Sequence, residues 1–148
     1  MIKFKIKTFQ EFSAQELYDV LQLRSEVFVV EQDCVYQDLD GKDQKAWHIL
    51  GYSDSNMVSY TRVFKPGDYF KESSIGRVVV AKKYRHNDLG FELMQTSINF
   101  ILSEFKVDTI RISAQTYLLN FYNSLGFLKV GEEYLEDGIP HVNMIYSA

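Results

Sequence analysis

The chain has 148 residues, 46% hydrophobic and 15% aromatic, which is enough apolar material to bury a core and too much for a disordered chain. A formal net charge of −4 argues against nucleic acid as the main partner, because phosphate binding normally shows as a basic surface, and it suits a cationic substrate. With no apolar segment of bilayer length, no signal-peptide pattern at the start and one cysteine, Cys34, the expectation is a single cytoplasmic domain over residues 1–148 with no membrane association.

Ile2 to Thr8 alternates Ile2, Phe4 and Ile6 with Lys3, Lys5 and Lys7, which predicts a half-buried edge strand guarded by its lysines. Ser13 with Glu16 makes a capping-box signature, and Leu17, Val20, Leu21, Arg24 and Phe28 follow at helical spacing. A helix from about Ser13 to Phe28 is therefore predicted, with Arg24 burying its stem and pairing at the surface. Glu31 to Lys45 is rich in turn residues, with Asp33, Asp38, Asp40 and Asp43 around Asp40-Gly41. It reads as a loop, either merely solvated or an acidic rim that attracts an amine. A calcium loop is excluded, because aligning Gly41 with the glycine of such a loop puts Tyr36 and Trp47 where carboxylates belong.

Trp47 to Tyr52 and Met57 to Phe64 flank Ser53-Asp54-Ser55-Asn56, the pattern of an antiparallel hairpin. Lys65 to Ser73, with Pro66-Gly67, form the loop that follows. Gly76 to Met94 then reads as strand, polar turn and helix start. Val78, Val79 and Val80 are stiff at χ1 and do not alternate with polar residues, which predicts a strand, Ser74 to Val80, buried on both faces. Asn87 and Asp88 offer cap chemistry before Leu89, Leu93, Met94, Ser97, Ile98, Ile101, Leu102 and Phe105 recur at helical spacing over about four turns. A helix that starts directly after a strand points unpaired N–H groups into the turn, where a phosphate can sit. Gly90 leaves room there, and Lys82, Lys83 and Arg85 add positive charge. The same residues also describe an ordinary connection with a solvated basic turn.

Thr109 to Ala114 is a predicted strand and Leu118 to Leu125 a short helix stopped by Gly126-Phe127. Phe127 to Leu135 and Val142 to Tyr146 are the final strands, joined by a long turn containing Asp137-Gly138 and Pro140. No internal repeat, low-complexity segment or linker interrupts the order βα, ββ, βα, βα, ββ.

His48, His86 and His141 lie in separate segments without metal-ligand spacing, so no metal site is expected. Cys34 sits among acidic residues, surroundings that do not favour a thiolate nucleophile. Neither a Walker sequence nor GxGxxG occurs. Leu118, Tyr122 and Leu125 share a helical face, so Tyr122 points toward the sheet, by spacing alone as a core tyrosine with a satisfied hydroxyl.

The Val78-Val79-Val80 strand, the turn Arg85-His86-Asn87-Asp88-Leu89-Gly90 and the segment Asn120 to Phe127 resemble the GNAT superfamily of acetyl-CoA-dependent N-acetyltransferases. The ElaA-like branch is similar also in Leu23-Arg24, Val27 to Gln32, Tyr36 to Asp38, Asp40-Gly41, His48 to Gly51, Ile75 to Val78 and Asp137 to His141, so the resemblance covers nearly the whole chain. It implies an α+β fold of the GNAT acyl-CoA N-acyltransferase type. In that fold a mixed, mostly antiparallel twisted sheet lies in an α/β/α sandwich and splays between strands 4 and 5, here Ser74–Val80 and Thr109–Ala114. The pantetheine arm of acetyl-CoA would enter the split and pair with Val78, Val79 and Val80 like an added strand. An N–H near Val80 would polarise the acetyl carbonyl.

By the same resemblance Arg85, His86, Asn87, Asp88, Leu89 and Gly90 would hold the pyrophosphate, with Gln115 and Asn120 nearer the pantetheine arm. The family turn reads Arg or Gln, two residues, Gly, one residue, then Gly or Ala; Asp88 stands where the first glycine belongs. Its side chain is compatible with binding through backbone amides if φ stays negative, though its charge opposes the phosphates. Tyr122 matches the tyrosine that protonates the departing thiolate. A phenol with the usual pKa near ~10 stays protonated at neutral pH and can donate to a thiolate whose parent thiol has a pKa near ~8.5. Glu31 and His48 are the implied bases, acting through water, and His141 is third. The implied reaction is metal-free acetyl transfer to a primary amine of a small molecule or peptide, by a monomer or homodimer. The alternatives are a non-catalytic acyl-CoA-binding or regulatory module and an acyltransferase using a longer acyl chain.

Overall fold

Seven strands share one sheet in the computed structural model, which describes all of Met1–Ala148. They are β1 (Ile2–Thr8), β2 (Trp47–Ser53), β3 (Asn56–Phe64), β4 (Ser73–Val80), β5 (Thr109–Gln115), β6 (Phe127–Glu136) and β7 (Ile139–Ser147). Their order is β1-β2-β3-β4-β5-β7-β6, and every neighbouring pair is antiparallel except β4 with β5. Helix α1 (Ala14–Arg24) packs on one face, while α2 (Leu89–Glu104) and α3 (Leu119–Ser124) cover the other. This is the α+β architecture that the resemblance implied. No helix is long and apolar enough to cross a membrane.

The two faces divide the apolar residues cleanly. Val20, Leu23, Val27, Phe28, Leu50, Tyr60 and Val79 form the core beneath α1, and Ile49, Ile75, Leu93, Ile98, Ile110 and Met144 belong to the larger core beneath α2. Ile49 and Leu50 follow the period-2 rule of a strand. Ile75 and Val79 do not, since residues four apart on a regular strand share a face. The exception is a β-bulge: Tyr60 pairs with Val79 and Arg62 with Gly76, so β4 carries one extra residue, and Arg77 takes up a left-handed φ of 49°. The extra residue inverts the facing of the valines. Val79 turns to α1, and Val78 and Val80 pack half-buried toward α2.

Helix α1 starts as its sequence predicts: Ser13 Oγ accepts from the Glu16 N–H at 3.0 Å, and the Glu16 carboxylate accepts from the Ser13 N–H at 2.8 Å. Its end differs. The chain continues past Phe28 as a wider, π-helical stretch, Ser25–Glu31, so Glu31 closes a helix instead of opening a loop. Val27, Val29 and Val30 are β-branched and fit an α-helix poorly, while burial of Val27 and Phe28 keeps the stretch coiled. The β6–β7 connection also corrects the predicted long turn. It is the two residues Asp137 and Gly138, at φ 52° and 77°, the left-handed pair of a tight hairpin, and Pro140 lies within β7 opposite Leu135.

Arg24 does not reach the surface. It is 0% exposed, donating from Nε to Asp38 Oδ2 and from Nη1 to Asp43 Oδ1, both at 2.8 Å. Arg62 Nη1 donates to Asp40 Oδ1 at 2.8 Å and Asp43 Oδ1 at 2.9 Å, and Arg77 Nε lies 2.7 Å from Asp38 Oδ1. The acidic loop is thus neither solvated nor a free rim: three of its carboxylates fold inward against three arginines. Burial alone would raise the pKa of Asp40, but Arg62 outweighs it and brings the pKa down to about 2. Removing one partner from such a cluster strands a buried charge, which costs roughly 3–5 kcal/mol. Arg24→Ala is expected to lose stability on that scale in urea unfolding; a loss under about 1 kcal/mol would show that water takes over the arginine's role.

Candidate active site

β4 and β5 pair at only two positions, Ser73 with Ile110 and Ser74 with Arg111. Beyond them β5 is committed to β7, from Thr109 opposite Ser147 to Gln115 opposite His141, and the β5-facing backbone edge of β4 has no strand partner from Ile75 onward. The splay opens a cleft of about 900 Å³, its mouth included. Ser74 to Val78 of β4, Ile112, Ser113 and Gln115 of β5, and Leu118 and Tyr122 near α3 form its inner walls. Phe28, Gln32, Cys34 and Tyr36 close it from the end of the π-helical stretch, and Glu136, Asp137, Ile139 and His141 from the β6–β7 hairpin.

Of the three valines expected to meet a coenzyme arm, Val78 lines this cleft, Val79 is buried beneath α1, and the Val80 carbonyl accepts from Arg85 Nε at 3.0 Å. Arg85 also grips Glu31 with both terminal nitrogens, at 2.5 and 2.9 Å, tying the π-helical stretch to the basic turn. His86, Asn87 and Asp88 are exposed there, and Leu89 is buried. Asp88 corrects an expectation, because its φ is +56° and not negative, and its side chain caps nothing. Aspartate is among the few side chains that tolerate this left-handed conformation, which glycine adopts freely. The first amides of α2, those of Leu89, Gly90 and Phe91, have no helical acceptor. Gly90 lies against α3: a Cβ there would sit 3.5 Å from Phe121 Cζ. Gln115 accepts from Gln32 Nε2 at 3.4 Å inside the cleft, whereas Asn120 is exposed and outside its lining.

Tyr122 is 5% exposed, and its ring packs at an angle against Phe121 and Phe127. Contrary to the core-tyrosine reading, its hydroxyl has no protein hydrogen-bond partner, and the residue lines the cleft. Burial pushes the hydroxyl above its ordinary pKa, keeping it protonated. The two expected bases fare differently. Glu31 is held by Arg85, whose hydrogen bonds lower the pKa of the carboxyl and make it a weaker base. His48 is buried away from the cleft, with Nδ1 2.6 Å from the Tyr60 hydroxyl and Nε2 2.9 Å from the Asp43 carbonyl. Both ring nitrogens are used, so the structure gives it a packing role beside the arginine–aspartate cluster. His141 does line the cleft.

A family model described as an acetyltransferase (GNAT) domain matches residues 8–148. The chain belongs to the GNAT acetyltransferase family. It is 41% identical to protein ElaA of Escherichia coli over 146 residues, 97% of this chain and 95% of that protein. The crystal structure of Escherichia coli ElaA superimposes with a TM-score of 0.93 at 40% identity, covering 99% of this chain and 100% of that one. An acyl-CoA N-acyltransferase from Pseudomonas aeruginosa matches with a TM-score of 0.94 at 36% identity, over 99% and 100% of the two chains.

Acyl-CoA-dependent acyl transfer is the chemistry of GNAT proteins, and the splayed β4–β5 edge fits an extended arm of that co-substrate. Sequence reasoning missed Phe28, Tyr69, Phe70 and Glu136 as cleft residues. Periodicity marks Phe28 as a helix face and nothing more, and the other three lie in segments with no motif of their own. The Asp137-Gly138 hairpin signal was available, and it would have placed Glu136 opposite Ile139 and Tyr134 opposite His141, with Glu136 and His141 diagonal to each other on one face.

Burial lowers the pKa of His48 from 6.5 to about 4. A group depressed in the folded state contributes stability that is complete above its unfolded pKa and is lost as pH falls through the folded one. The loss here is roughly 3 kcal/mol between about pH 6.5 and 4. His48→Gln is expected to flatten the stability–pH profile across that window, whatever its effect at pH 8. An unchanged slope would mean His48 is protonated in the folded protein.

Proposed function

We propose that the protein transfers an acetyl group from acetyl-CoA directly to the nitrogen of a primary amine carried by a small molecule or peptide. The observation that supports this best is one cleft holding both the unpaired β4 edge and the partnerless hydroxyl of Tyr122. Acetyl-CoA supplies an activated thioester; the residues of this chain bind, orient and move protons. The β4 edge around Val78 to Val80 takes the pantetheine arm as an added strand, and an N–H near Val80 polarises the thioester oxygen. The free amides at the start of α2, with Arg85, His86 and Asn87 beside them, hold the diphosphate. Tyr122, kept protonated by its burial, donates to sulfur as the thiolate leaves.

Acetyl-CoA mixed with a panel of primary amines and a thiol reagent is expected to show amine-dependent thiol release. No release above background, together with no calorimetric binding of acetyl-CoA, overturns the reading; binding without turnover would mark a coenzyme-binding module instead. Tyr122→Phe is expected to lower kcat about 10²-fold while sparing acetyl-CoA affinity, and an unchanged kcat removes Tyr122 from the acid role. Asp88→Gly removes both a carboxylate near the diphosphate and a side chain from a left-handed position. Acetyl-CoA should bind about fivefold more tightly by calorimetry, equivalent to ~1 kcal/mol. An unchanged or weaker Kd would show that the carboxylate does not face the phosphates.

A further inference from the structure

His141 is held from both sides, by Gln115 of β5 and Tyr134 of β6, in a strand that runs between them. Its ring stacks on Tyr134 at 24°, and the Tyr134 hydroxyl is itself fixed to Ser113 Oγ. Nδ1 lies 2.7 Å from the Ile139 carbonyl oxygen. A carbonyl only accepts, so Nδ1 carries the hydrogen of the neutral ring and Nε2 keeps its lone pair. Glu136 Oε2 lies 3.5 Å from Nε2 and is again an acceptor. The neutral ring has nothing to offer that carboxylate, but a ring protonated on Nε2 becomes its ion-pair partner. Glu31 and His48 lack this combination, the first being held by Arg85 and the second having both nitrogens bonded.

The same corner has a charge that the rest of the cleft does not. Arg62 and Arg77 line it, but they face Asp38, Asp40 and Asp43, whereas Glu136 and Asp137 have no arginine or lysine partner. An ammonium is therefore drawn to the mouth, where Tyr69 and Phe70 offer an aromatic wall.

We infer that His141 is the base that receives the acceptor's proton, with Glu136 stabilising the imidazolium, and that the acceptor is a primary amine on an apolar or aromatic stem. The inference rests on the acetyltransferase reading above. Nε2 takes one proton from the entering ammonium, and the freed nitrogen pair forms the C–N bond while the C–S pair moves to sulfur. Tyr122 protonates that sulfur and is reprotonated, through water, by the second hydrogen leaving the nitrogen. His141 then sheds its proton to solvent. In sum, an ammonium and acetyl-CoA give an N-acetylamine, coenzyme A and a proton.

The test compares 2-phenylethylamine, an ammonium at neutral pH, with 4-methylaniline, which is already neutral and needs no base to begin. His141→Gln is expected to lower kcat/KM about 10²-fold for the first and only a few-fold for the second, with acetyl-CoA affinity by calorimetry unchanged. Equal losses for both amines, or none, overturn the role. Nitrogen-15 NMR of the unmodified protein adds a reading that needs no acceptor: a hydrogen on Nδ1 and a bare Nε2 are expected, and the opposite tautomer sinks the proposal. A wild type that binds acetyl-CoA but acetylates neither amine overturns the acceptor class. One that neither binds acetyl-CoA nor acetylates any amine defeats the acetyltransferase reading itself, and an active wild type with an unaffected variant defeats only His141.

Discussion

β4 has to satisfy two neighbours that pull it in different directions. It is paired to β3 along most of its length, yet to β5 at only Ser73 and Ser74, beyond which β5 stays paired to β7 and parts from β4. The bulge at Arg77 adds local twist where the strands part, and it turns the Val78 side chain into the gap. A backbone edge left unpaired inside a fold is normally a liability. Here it is sheltered by the end of the π-helical stretch, α3 and the β6–β7 hairpin, so it faces a cleft.

The left-handed Arg77 is held by charge. Its guanidinium reaches Asp38, which also accepts from Arg24, and Arg62 links Asp40 to Asp43. The acidic segment after the π-helical stretch is thereby fastened across β3 and β4 at the cleft wall. Buried clusters of this kind contribute little net stability compared with well-packed apolar residues, but losing a single partner leaves an uncompensated buried charge. Positioning Tyr36, Cys34 and the π-helical stretch against the cleft is the structural result. His48, stacked near Tyr60 behind the cluster, completes its hydrogen bonding through the Asp43 carbonyl.

Two conformational features bear on the turn between β4 and α2. The Glu31–Arg85 contact joins the end of the π-helical stretch to the basic turn, and Arg85 at the same time holds the Val80 carbonyl, so the turn is anchored to the end of β4. Asp88 sits in a left-handed conformation that aspartate tolerates better than most side chains, and its carboxylate caps nothing.

The sequence by itself determined the strands, the start of α1, the amphipathic face of α2 and the order of elements, because period-2 and period-3.6 patterns and a capping box are local and repeat along the chain. It also determined the family, since ordered motifs run through nearly the whole length. What only the tertiary structure decided was everything that depends on two distant segments meeting. Arg24 and the aspartates are 14 and 19 residues apart in sequence, and no local pattern says whether they pair inside or outside. The fate of the candidate bases followed the same rule. His48, Glu31 and His141 are equally plausible as residue types, and the contacts that occupy the first two while leaving Nε2 of the third free come mostly from elsewhere in the fold. A bulge that inverts β4, likewise, is a property of its pairing with β3 and leaves no mark on a row of valines.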